Sequence, residues 1–324
     1  MVKLSIIVPI YGVEQYLRKC IDSLLDQDIP SSEYEIILVD DGGHDNCPQI
    51  CDEYAAAHKN IRVAHRENGG LSAARDSGIE VAQGEYVMFI DSDDYIEPNV
   101  LKGLLEQVER ENLDVLRYRL QYVNPQYEVY NPYKSDPFKG NDYSEEPTDG
   151  VTFLNERMNT QCYAWAFVLK RELLGDCLFT PGIYFEDTDW TPRMLVRAKR
   201  VASTETVVYN YLMREGSITN AVNRSKQKKV LDDKMRLIET MQQQSANLQL
   251  QGKDTKWFGR MIADIVISVI SILSSQFYNE RRSCLKHIKE LDVYPLQSQH
   301  YKARLINFSP RLAVWLLHLK NGYK

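Results

Sequence analysis

The alternation of short apolar runs with helical segments constrains the fold of this chain most. Four strand-like runs lie at residues 4–9, 35–39, 61–64 and 86–90, and the first, second and fourth are apolar, as is typical of strands buried in a parallel sheet. Segments with apolar residues at helical spacing follow them, at residues 13–25, 48–58, 71–82 and 99–111. The pattern predicts an α/β fold, in which a mostly parallel sheet is flanked by helices and joined by right-handed crossovers.

The rest of the chain departs from this alternation. Residues 119–150 are rich in Tyr, Pro, Asn, Asp and Gly, which predicts a long excursion with a hairpin. A substrate-facing lid and a plain surface insertion both fit this segment. After about residue 225 the apolar spacing becomes helical. We therefore expect a sheet-based domain over residues 1–225 and a helical C-terminal region over residues 226–324.

The last part of that region carries a short predicted helix at residues 310–320, in which Trp315 and leucines stand near Arg304, Arg311 and Lys320. Such a helix suits the surface of an anionic lipid bilayer. A helix packed on its own domain and a contact in a homodimer fit the same residues equally well.

Composition excludes some classes of protein. The chain has 39 Lys and Arg against 45 Asp and Glu, so we expect no nucleic-acid partner. Its six cysteines form no C-x-x-C pair and no signal peptide is recognisable, which favours a reducing cytoplasm. The longest apolar run, residues 261–273, is interrupted by Asp264 and is too short to span a bilayer.

Acidic residues follow two of the predicted strands. The run at 86–90 ends in Asp91, Ser92, Asp93 and Asp94. Three carboxylates in four residues repel one another, and a divalent cation with oxygen ligands would relieve that repulsion. A solvated acidic turn is the simpler alternative for an isolated D-x-D. Ligands of open α/β sheets bind at the carboxyl ends of strands, however, which favours a functional site.

Asp40 and Asp41 end the second strand beside Gly42 and Gly43 in the same way. Carboxylates at such a turn suit hydrogen bonds to a nucleobase or to ribose hydroxyls. With the acids after the fourth run, they predict a site for a metal and a nucleotide, in which the cation would neutralise charge on a departing diphosphate.

A general base is required if the acceptor is a hydroxyl group, and Glu186 and Asp187 are the remaining candidates. Asp187 also suits the N-cap of a helix. Pro192 favours the first turn of a helix capped by Thr191, which would leave Glu186 and Asp187 in the preceding loop.

Six motifs in order resemble glycosyltransferase family 2, whose members have the GT-A fold. The resemblance covers about two thirds of the chain, and the order and spacing of the motifs carry it more than any single one. The motifs are S-I-I-V-P-I-Y-G-V-E at 5–14, E-I-I-L-V-D-D-G-G-H-D-N at 35–46, N-G-G-L-S-A-A-R-D-S-G at 68–78, G-E-Y-V-M-F-I-D-S-D-D at 84–94, F-E-D-T-D-W at 185–190 and Y-L-M-R-E-G-S-I-T at 211–219.

The resemblance implies an inverting transferase that uses a nucleotide-diphospho-sugar donor, with UDP as the expected nucleotide, and a glycan or lipid-linked acceptor. It implies that Asp93 holds Mn²⁺ or Mg²⁺, that Asp187 deprotonates the acceptor and that Glu186 positions acceptor or base. Arg214 could approach the diphosphate, and a surface salt bridge fits it as well. The implied nucleotide-sugar contacts are Pro9, Tyr11, Glu14, Asp40 or Asp41, Arg75 and Asp91.

The chain departs from the family pattern at three places, of which Gly43-His44 bears on the turn geometry and on the base preference. Gly12 and Asp76 each replace a usual Asn, and Gly43-His44 replaces a usual Ser-Thr. Two other functions remain open: a nucleotidyltransferase on a similar sheet, and a sugar-binding module without catalysis. A dinucleotide-binding dehydrogenase is disfavoured because no G-x-G-x-x-G follows the first strand.

Overall fold

The computed structural model describes residues 1–133, 138–214, 224–298 and 300–322. The chain forms two compact units: unit 1 is Met1–Arg157 with Cys162–Glu215, and unit 2 is Met158–Gln161 with Gly216–Lys324. The domain boundary predicted near residue 225 adjoins residues 215–223, which lie outside the described residues, and it stays a prediction.

Unit 1 contains one sheet of eight strands in the order β3-β2-β1-β4-β7-β6-β8-β5. β1 pairs in parallel with both β2 and β4, and β2 with β3, whereas β7 runs antiparallel to its neighbours. The sheet is thus mostly parallel at the end that bears the predicted site. Its strands are β1 (Leu4–Ile10), β2 (Tyr34–Asp40), β3 (Ile61–His65), β4 (Tyr86–Phe89), β5 (Tyr95–Ile96), β6 (Val115–Val123), β7 (Phe167–Lys170) and β8 (Val201–Leu212).

Helices connect these strands as the periodicity predicted, within one or two residues for the first three. Helix α1 buries Leu17, Cys20, Ile21 and Leu24, the apolar positions that a 3.6-residue period places on one face. The described helices of unit 1 are α1 (Glu14–Leu25), α2 (Cys47–Ala57), α3 (Leu71–Val81), α4 (Leu101–Arg110), α5 (Gly150–Arg157) and α6 (Glu186–Leu195).

The buried strands bring their carboxyl ends to one edge of the sheet. β1, β2 and β4 are buried along their whole length, and Ile10 at the end of β1 stands opposite Asp40 at the end of β2. Ile7 of β1 pairs with Phe89, the last residue of β4. The acidic turns after β2 and β4 therefore lie on either side of the end of β1, as the sequence predicted.

The segment at 119–150 is more regular at its start than predicted. β6 continues to Val123 through parallel pairing with β8, because a neighbouring strand compensates for the weak local pattern. Val123 and Val129 then form an antiparallel bridge, so the predicted hairpin is present. Residues 134–137 lie outside the described residues, and the lid and the plain surface insertion both stay predictions.

Unit 2 is built around helix α8. Trp257 Nε1 donates to Asn159 O at 2.9 Å and Thr160 Oγ1 donates to Asp264 Oδ2 at 2.7 Å, which explains why residues 158–161 group with unit 2. The described helices of this unit are α7 (Arg224–Leu250), α8 (Lys256–Ser275), α9 (Arg281–Glu290), α10 (Tyr301–Phe308) and α11 (Pro310–Gly322).

Helix α8 is longer than the apolar run at 261–273 that the sequence indicated. By length and composition it is the one helix of the described chain that would suffice to cross a membrane. Its buried residues include Trp257, Phe258, Val266 and Leu273, and it packs against α7, α10 and α11. This environment is that of a core helix.

The close approach of α3 to β1 leaves no room for a side chain at Gly78. A Cβ atom at Gly78 would lie 2.3 Å from Ile7 Cγ2, whereas a Cβ at Gly103, on the exposed side of α4, would meet no atom within 4 Å. Both positions are helical, so Ala improves helix propensity equally at each.

We expect Gly78→Ala to be less stable than Gly103→Ala by about 1–3 kcal/mol, the usual cost of overpacking a filled core. Urea unfolding followed by circular dichroism would measure both variants. Equal unfolding free energies for the two would contradict the tight packing of α3 on β1.

Candidate active site

The turn after β4 forms the centre of the candidate site. Asp91 and Asp93 follow the strand, and Asp94 N donates to Asp91 O at 3.0 Å, which closes the turn. The side chain of Asp91 is 25% exposed and that of Asp93 is 27% exposed. Both carboxylates therefore remain accessible, as a binding site requires.

Arg75 on α3 joins this turn to α6. Its Nη2 donates to Asp91 Oδ1 at 2.9 Å and its Nη1 donates to Glu186 Oε1 at 2.7 Å. The residue is 1% exposed, and its guanidinium lies 5.2 Å from the ring centre of Phe179. Burial lowers the pKa of Arg75, but Asp91 and Glu186 raise it and the net shift is upward, so the group stays a cation.

This position shows what Arg75 contacts within the protein, and its expected role in binding the donor stays a prediction. The resemblance implied a place near ribose or diphosphate. In the structure both terminal nitrogens donate to protein carboxylates, and the buried Nε has no partner among the described residues. Arg75 is therefore a positioning residue that holds Asp91 and Glu186 together.

The prediction that Glu186 and Asp187 lie in a loop is wrong. Helix α6 begins at Glu186, after Phe185 in the left-handed conformation with φ 64°, and Pro192 lies inside the helix. Three acids in the first turn, Glu186, Asp187 and Asp189, favour this start because carboxylates stabilise the positive N-terminal end of a helix dipole. The helix therefore begins at its acidic first turn and not at the later position that Pro192 predicted.

Asp187 is placed next to the Arg75 cluster. Burial, and after it the charge of Glu186, raises the pKa of Asp187 to about 8, against the opposing charge of Arg75. Thr188 N donates to Asp187 Oδ1 at 2.8 Å. A carboxyl group with such a pKa can accept a proton near neutral pH, which is the property that a general base needs.

Asp94 has a role that the sequence did not reveal. Tyr209 OH donates to Asp94 Oδ2 at 2.6 Å, and Leu212 N donates to Asp94 Oδ1 at 2.7 Å. Burial raises the pKa of Asp94 well above its usual value. Asp94 thus fixes the end of β8 to the turn after β4, and no local motif connects residues so distant in the chain.

Arg214, just beyond β8, pairs with the predicted metal ligand. Its Nη2 lies 2.7 Å and its Nε 2.8 Å from Asp93 Oδ2, and its guanidinium lies 5.0 Å from the ring centre of Tyr16. The salt bridge that the sequence left open is therefore present. Residues 215–219 of the motif at 211–219 lie outside the described residues.

The carboxylates after β4 fit a divalent cation that binds together with phosphates. Within the described chain, Asp91 Oδ2 and Asp93 Oδ1 accept no hydrogen bond, and no group of three or more His, Cys, Asp or Glu residues could hold a metal ion. Mg²⁺ and similar cations are commonly bound by one or two carboxylates, with substrate phosphates and water as the other ligands. Two open oxygens meet that requirement.

The acids after β2 make hydrogen bonds within the protein, and their expected role in binding the nucleotide stays a prediction. Asp41 is 2% exposed and accepts hydrogen bonds from Arg66 Nη1, Asn68 Nδ2, Gly69 N and Gly70 N. Four donors occupy both of its oxygens, so Asp41 organises the turn that leads into α3.

Asp40 also holds the sheet edge. His65 Nδ1 lies 2.8 Å from Asp40 Oδ2, and its Nε2 lies 3.1 Å from Asp52 Oδ1, so these hydrogen bonds raise the pKa of His65. Asp40 Oδ1 is buried and has no partner among the described residues. Of the two acids, Asp40 is the one with an unused oxygen.

The predicted nucleotide contacts at the end of β1 differ in their burial and in their hydrogen bonds. Glu14 Oε2 accepts hydrogen bonds from Asn46 N at 2.8 Å and from Asn46 Nδ2 at 2.9 Å. Glu14 N donates to Asp45 Oδ2 at 3.0 Å. Glu14 therefore links α1 to the turn before α2. Pro9 is buried in β1, whereas Tyr11 is 54% exposed at the same edge of the sheet.

Two departures from the family pattern preserve local geometry. Gly12 has φ +66°, a left-handed conformation that Asn also adopts readily. Asp76 Oδ1 accepts from Phe179 N at 3.0 Å, a contact that an Asn carbonyl would make equally.

Trp165 is 3% exposed and stacks on Tyr209 with ring centres 4.0 Å apart, so it belongs to the core.

Comparisons with known proteins agree with this geometry. The model of the family described as "Glycosyl transferase family 2" matches residues 5–174. The uncharacterized glycosyltransferase EpsJ of Bacillus subtilis is 36% identical over 226 residues, which cover 66% of this chain and 62% of EpsJ. Glycosyltransferase GlyG of Streptococcus pneumoniae is 33% identical and covers 66% of this chain and 72% of GlyG. The chain therefore matches less than two thirds of EpsJ.

A crystal structure of S. aureus TarS, residues 1–349, in complex with UDP-GlcNAc is similar in fold. Its TM-score is 0.73 at 22% sequence identity, and the alignment covers 98% of this chain and 89% of TarS 1–349. The similarity confirms the predicted GT-A fold.

The Arg75 cluster predicts a pH-dependent loss of stability. In Arg75→Met, Asp91 and Glu186 would lose their buried counter-ion, and we expect the free energy of unfolding to fall by about 3–5 kcal/mol. The loss should be greater at pH 8 than at pH 5, because burial already raises the pKa of Asp91 against the charge of Arg75, and a protonated Asp91 no longer requires the cation.

Urea titrations at both pH values would measure this loss. Arg18→Met is the control, since Arg18 pairs with Glu53 on the surface, with both side chains about half exposed, and its unfolding midpoint should barely change. A pH-independent loss for Arg75→Met would argue against charge compensation.

Proposed function

Because this chain belongs to glycosyl transferase family 2, we propose that it transfers a sugar from a UDP-sugar to a hydroxyl group of a glycan or lipid-linked acceptor, with inversion at the anomeric carbon. Family membership makes the chain a glycosyltransferase that uses a nucleotide sugar. The observation that carries the finer proposal is the cluster of Asp91, Glu186 and Asp187 around Arg75, with Asp93 two residues beyond Asp91.

The donor would bind at the carboxyl ends of β1, β2 and β4. Tyr11 offers an exposed ring at this edge for the nucleoside, and Asp91 Oδ2 is open to a ribose hydroxyl or to the cation. The UDP-GlcNAc in the TarS structure supports UDP as the nucleotide to test first.

Asp93 Oδ1, with Asp91 Oδ2, would hold Mn²⁺ or Mg²⁺. When bound, the cation would neutralise the charge that develops on the departing diphosphate. Arg214 lies at the same carboxylate and adds a second positive group there. A bound cation and Arg214 would then both lie where the leaving group departs.

Asp187 would act as the general base. Its carboxylate takes the proton of the acceptor hydroxyl as the acceptor oxygen forms a bond to the anomeric carbon and the bond from that carbon to the diphosphate oxygen breaks. Glu186 is fixed by Arg75, so the first turn of α6 presents Asp187 in a defined position. Fixed orientation of this kind contributes strongly to group transfer.

Family membership and the site together favour sugar transfer over the alternatives. A nucleotidyltransferase would need basic residues after the first strand to bind a triphosphate, and residues 9–14 contain none. A binding module without catalysis has no use for a base such as Asp187. All six cysteines are free, which supports our proposal of a reducing, cytoplasmic location.

Calorimetric titration with UDP tests the donor and the cation. We expect the affinity of the wild type for UDP to rise at least tenfold with Mn²⁺ and that rise to vanish in Asp93→Ala, since one of two carboxylate ligands is lost. Asp176→Ala, which removes a 90% exposed acid, should behave like the wild type. If UDP, GDP and dTDP all failed to bind, the nucleotide site would be refuted.

The pKa of Asp187 predicts the pH dependence of the reaction. Because the base must be ionised, kcat/KM should rise with pH and level off above about 8. Asp187→Asn should lower kcat by about 10²–10⁴-fold, the usual contribution of a general base, with UDP affinity unchanged. Release of UDP from the UDP-sugar turned over fastest would measure this, and full activity in Asp187→Asn would remove Asp187 from the mechanism.

The same shift predicts an effect on stability. A carboxyl group whose pKa is raised on folding binds more protons in the folded than in the unfolded state between its usual pKa and 8, so stability falls as the pH rises through that window. Asp187→Asn should abolish this fall and raise Tm more at pH 8 than at pH 4, by a few degrees, since 1 kcal/mol shifts Tm by about 2–4 °C.

A further inference from the structure

The end of unit 2 has a charge opposite to that of the rest of the chain. Residues 293–324 contain five Lys and Arg and no Asp or Glu, whereas residues 1–292 contain 34 Lys and Arg and 45 Asp and Glu. The chain thus has a positive terminal segment on a negative protein. Segregated charge of this kind marks a surface for an anionic partner.

Helix α11 has two distinct faces. Ala313 and Val314 are fully buried, and His318 Nδ1 lies 2.7 Å from Ser274 O on α8. This face packs against the core helix of the unit. The sequence alternative of a helix packed on its own domain is therefore correct for one side of α11.

The opposite face of α11 is apolar and exposed. Trp315 is 47% exposed, Leu316 40% and Leu319 38%. Arg311 and Lys320 are exposed at the two ends of the helix, and neither forms an ion pair with another described residue. A helix that carries an exposed Trp and leucines between two basic residues has the composition of helices that lie at a membrane interface.

Helix α10 also exposes aromatic and basic side chains. Tyr301 is 65% exposed and Phe308 81% exposed, and Arg304 is exposed between them at helical spacing. α10 packs against α11, from which only Ser309 separates it. Two consecutive helices of unit 2 therefore expose aromatic and basic side chains without an acidic residue.

We propose that α10 and α11 dock unit 2 on the surface of an anionic lipid bilayer. Trp315, Leu316 and Leu319 would enter the interface between head groups and acyl chains, while Arg311 and Lys320 contact lipid phosphates. Anionic head groups supply the negative charge that this surface lacks in the described chain. The proposal does not depend on the sugar transfer.

A second copy of the chain fits this surface less well. A two-fold interface apposes a patch with itself, so Arg311 and Lys320 of one protomer would face basic residues of the other. No acid between residues 293 and 324 would offset the repulsion. Lipid phosphate complements both the apolar and the basic residues.

Vesicle sedimentation of the full chain tests the proposal. We expect it to sediment with vesicles of phosphatidylglycerol and phosphatidylcholine, but not with phosphatidylcholine alone, and binding should weaken as NaCl is raised. Arg311→Glu/Lys320→Glu should reduce the partition coefficient at least 25-fold, because each basic residue near an anionic surface contributes about fivefold. Trp315→Ser should reduce it by about tenfold.

Matched variants separate this surface from general charge and hydrophobicity. Arg282→Glu/Lys289→Glu changes two exposed basic residues on α9, and Leu178→Ser changes a residue that is 47% exposed in unit 1. Both should sediment like the wild type. Circular dichroism would show that each variant folds.

Three outcomes would overturn the proposal. They are failure of the wild type to bind the anionic vesicles at low salt, equal loss of binding in the α9 control and the α11 variant, and a wild-type dimer that Trp315→Ser converts to a monomer. The last result would assign the face to a contact between copies.

Discussion

The buried guanidinium of Arg75 is the interaction on which the candidate site depends. Asp91 after β4 and Glu186 on α6 are 95 positions apart in the chain, yet both accept hydrogen bonds from the same side chain. Without that cation, two carboxylates would approach one another in a partly buried space, which is unfavourable. The sheet brings the strand end to this place, and Arg75 makes it possible for α6 to begin beside it.

A second set of contacts fixes the other side of the site. Asp94 accepts from Tyr209 and Leu212, so the end of β8 is held against the turn after β4, and Arg214 follows directly. The three acids in this turn thus have three different environments: Asp91 faces Arg75, Asp93 faces Arg214 and Asp94 is buried. These environments could not be predicted from the sequence, in which the three aspartates differ only by position.

The strand ends were predictable because strong local patterns decide them. Three buried strands, two of them with acids at their carboxyl ends, follow from apolar runs and turn residues, and the parallel pairing of β1 with β2 and β4 confirms that prediction. The start of α6 was not predictable in this way, since Pro192 and the acidic first turn gave opposing signals. The contacts of Asp41 and Glu14 depend on loops that meet only in the folded chain, so their structural roles could not be read from the motifs.

The charges of the site explain why the pKa of one of its acids is raised. Asp91, Asp93, Glu186 and Asp187 together face two guanidinium groups, those of Arg75 and Arg214. Four ionised carboxylates would leave an excess of negative charge in a partly buried region, and such an excess is relieved by proton uptake at one of them. Asp187 is the acid whose pKa is raised to about 8, by burial and by the charge of Glu186. The arrangement that makes the site costly to the fold thereby gives Asp187 the proton affinity that a base requires, a trade between stability and activity that is common at catalytic sites.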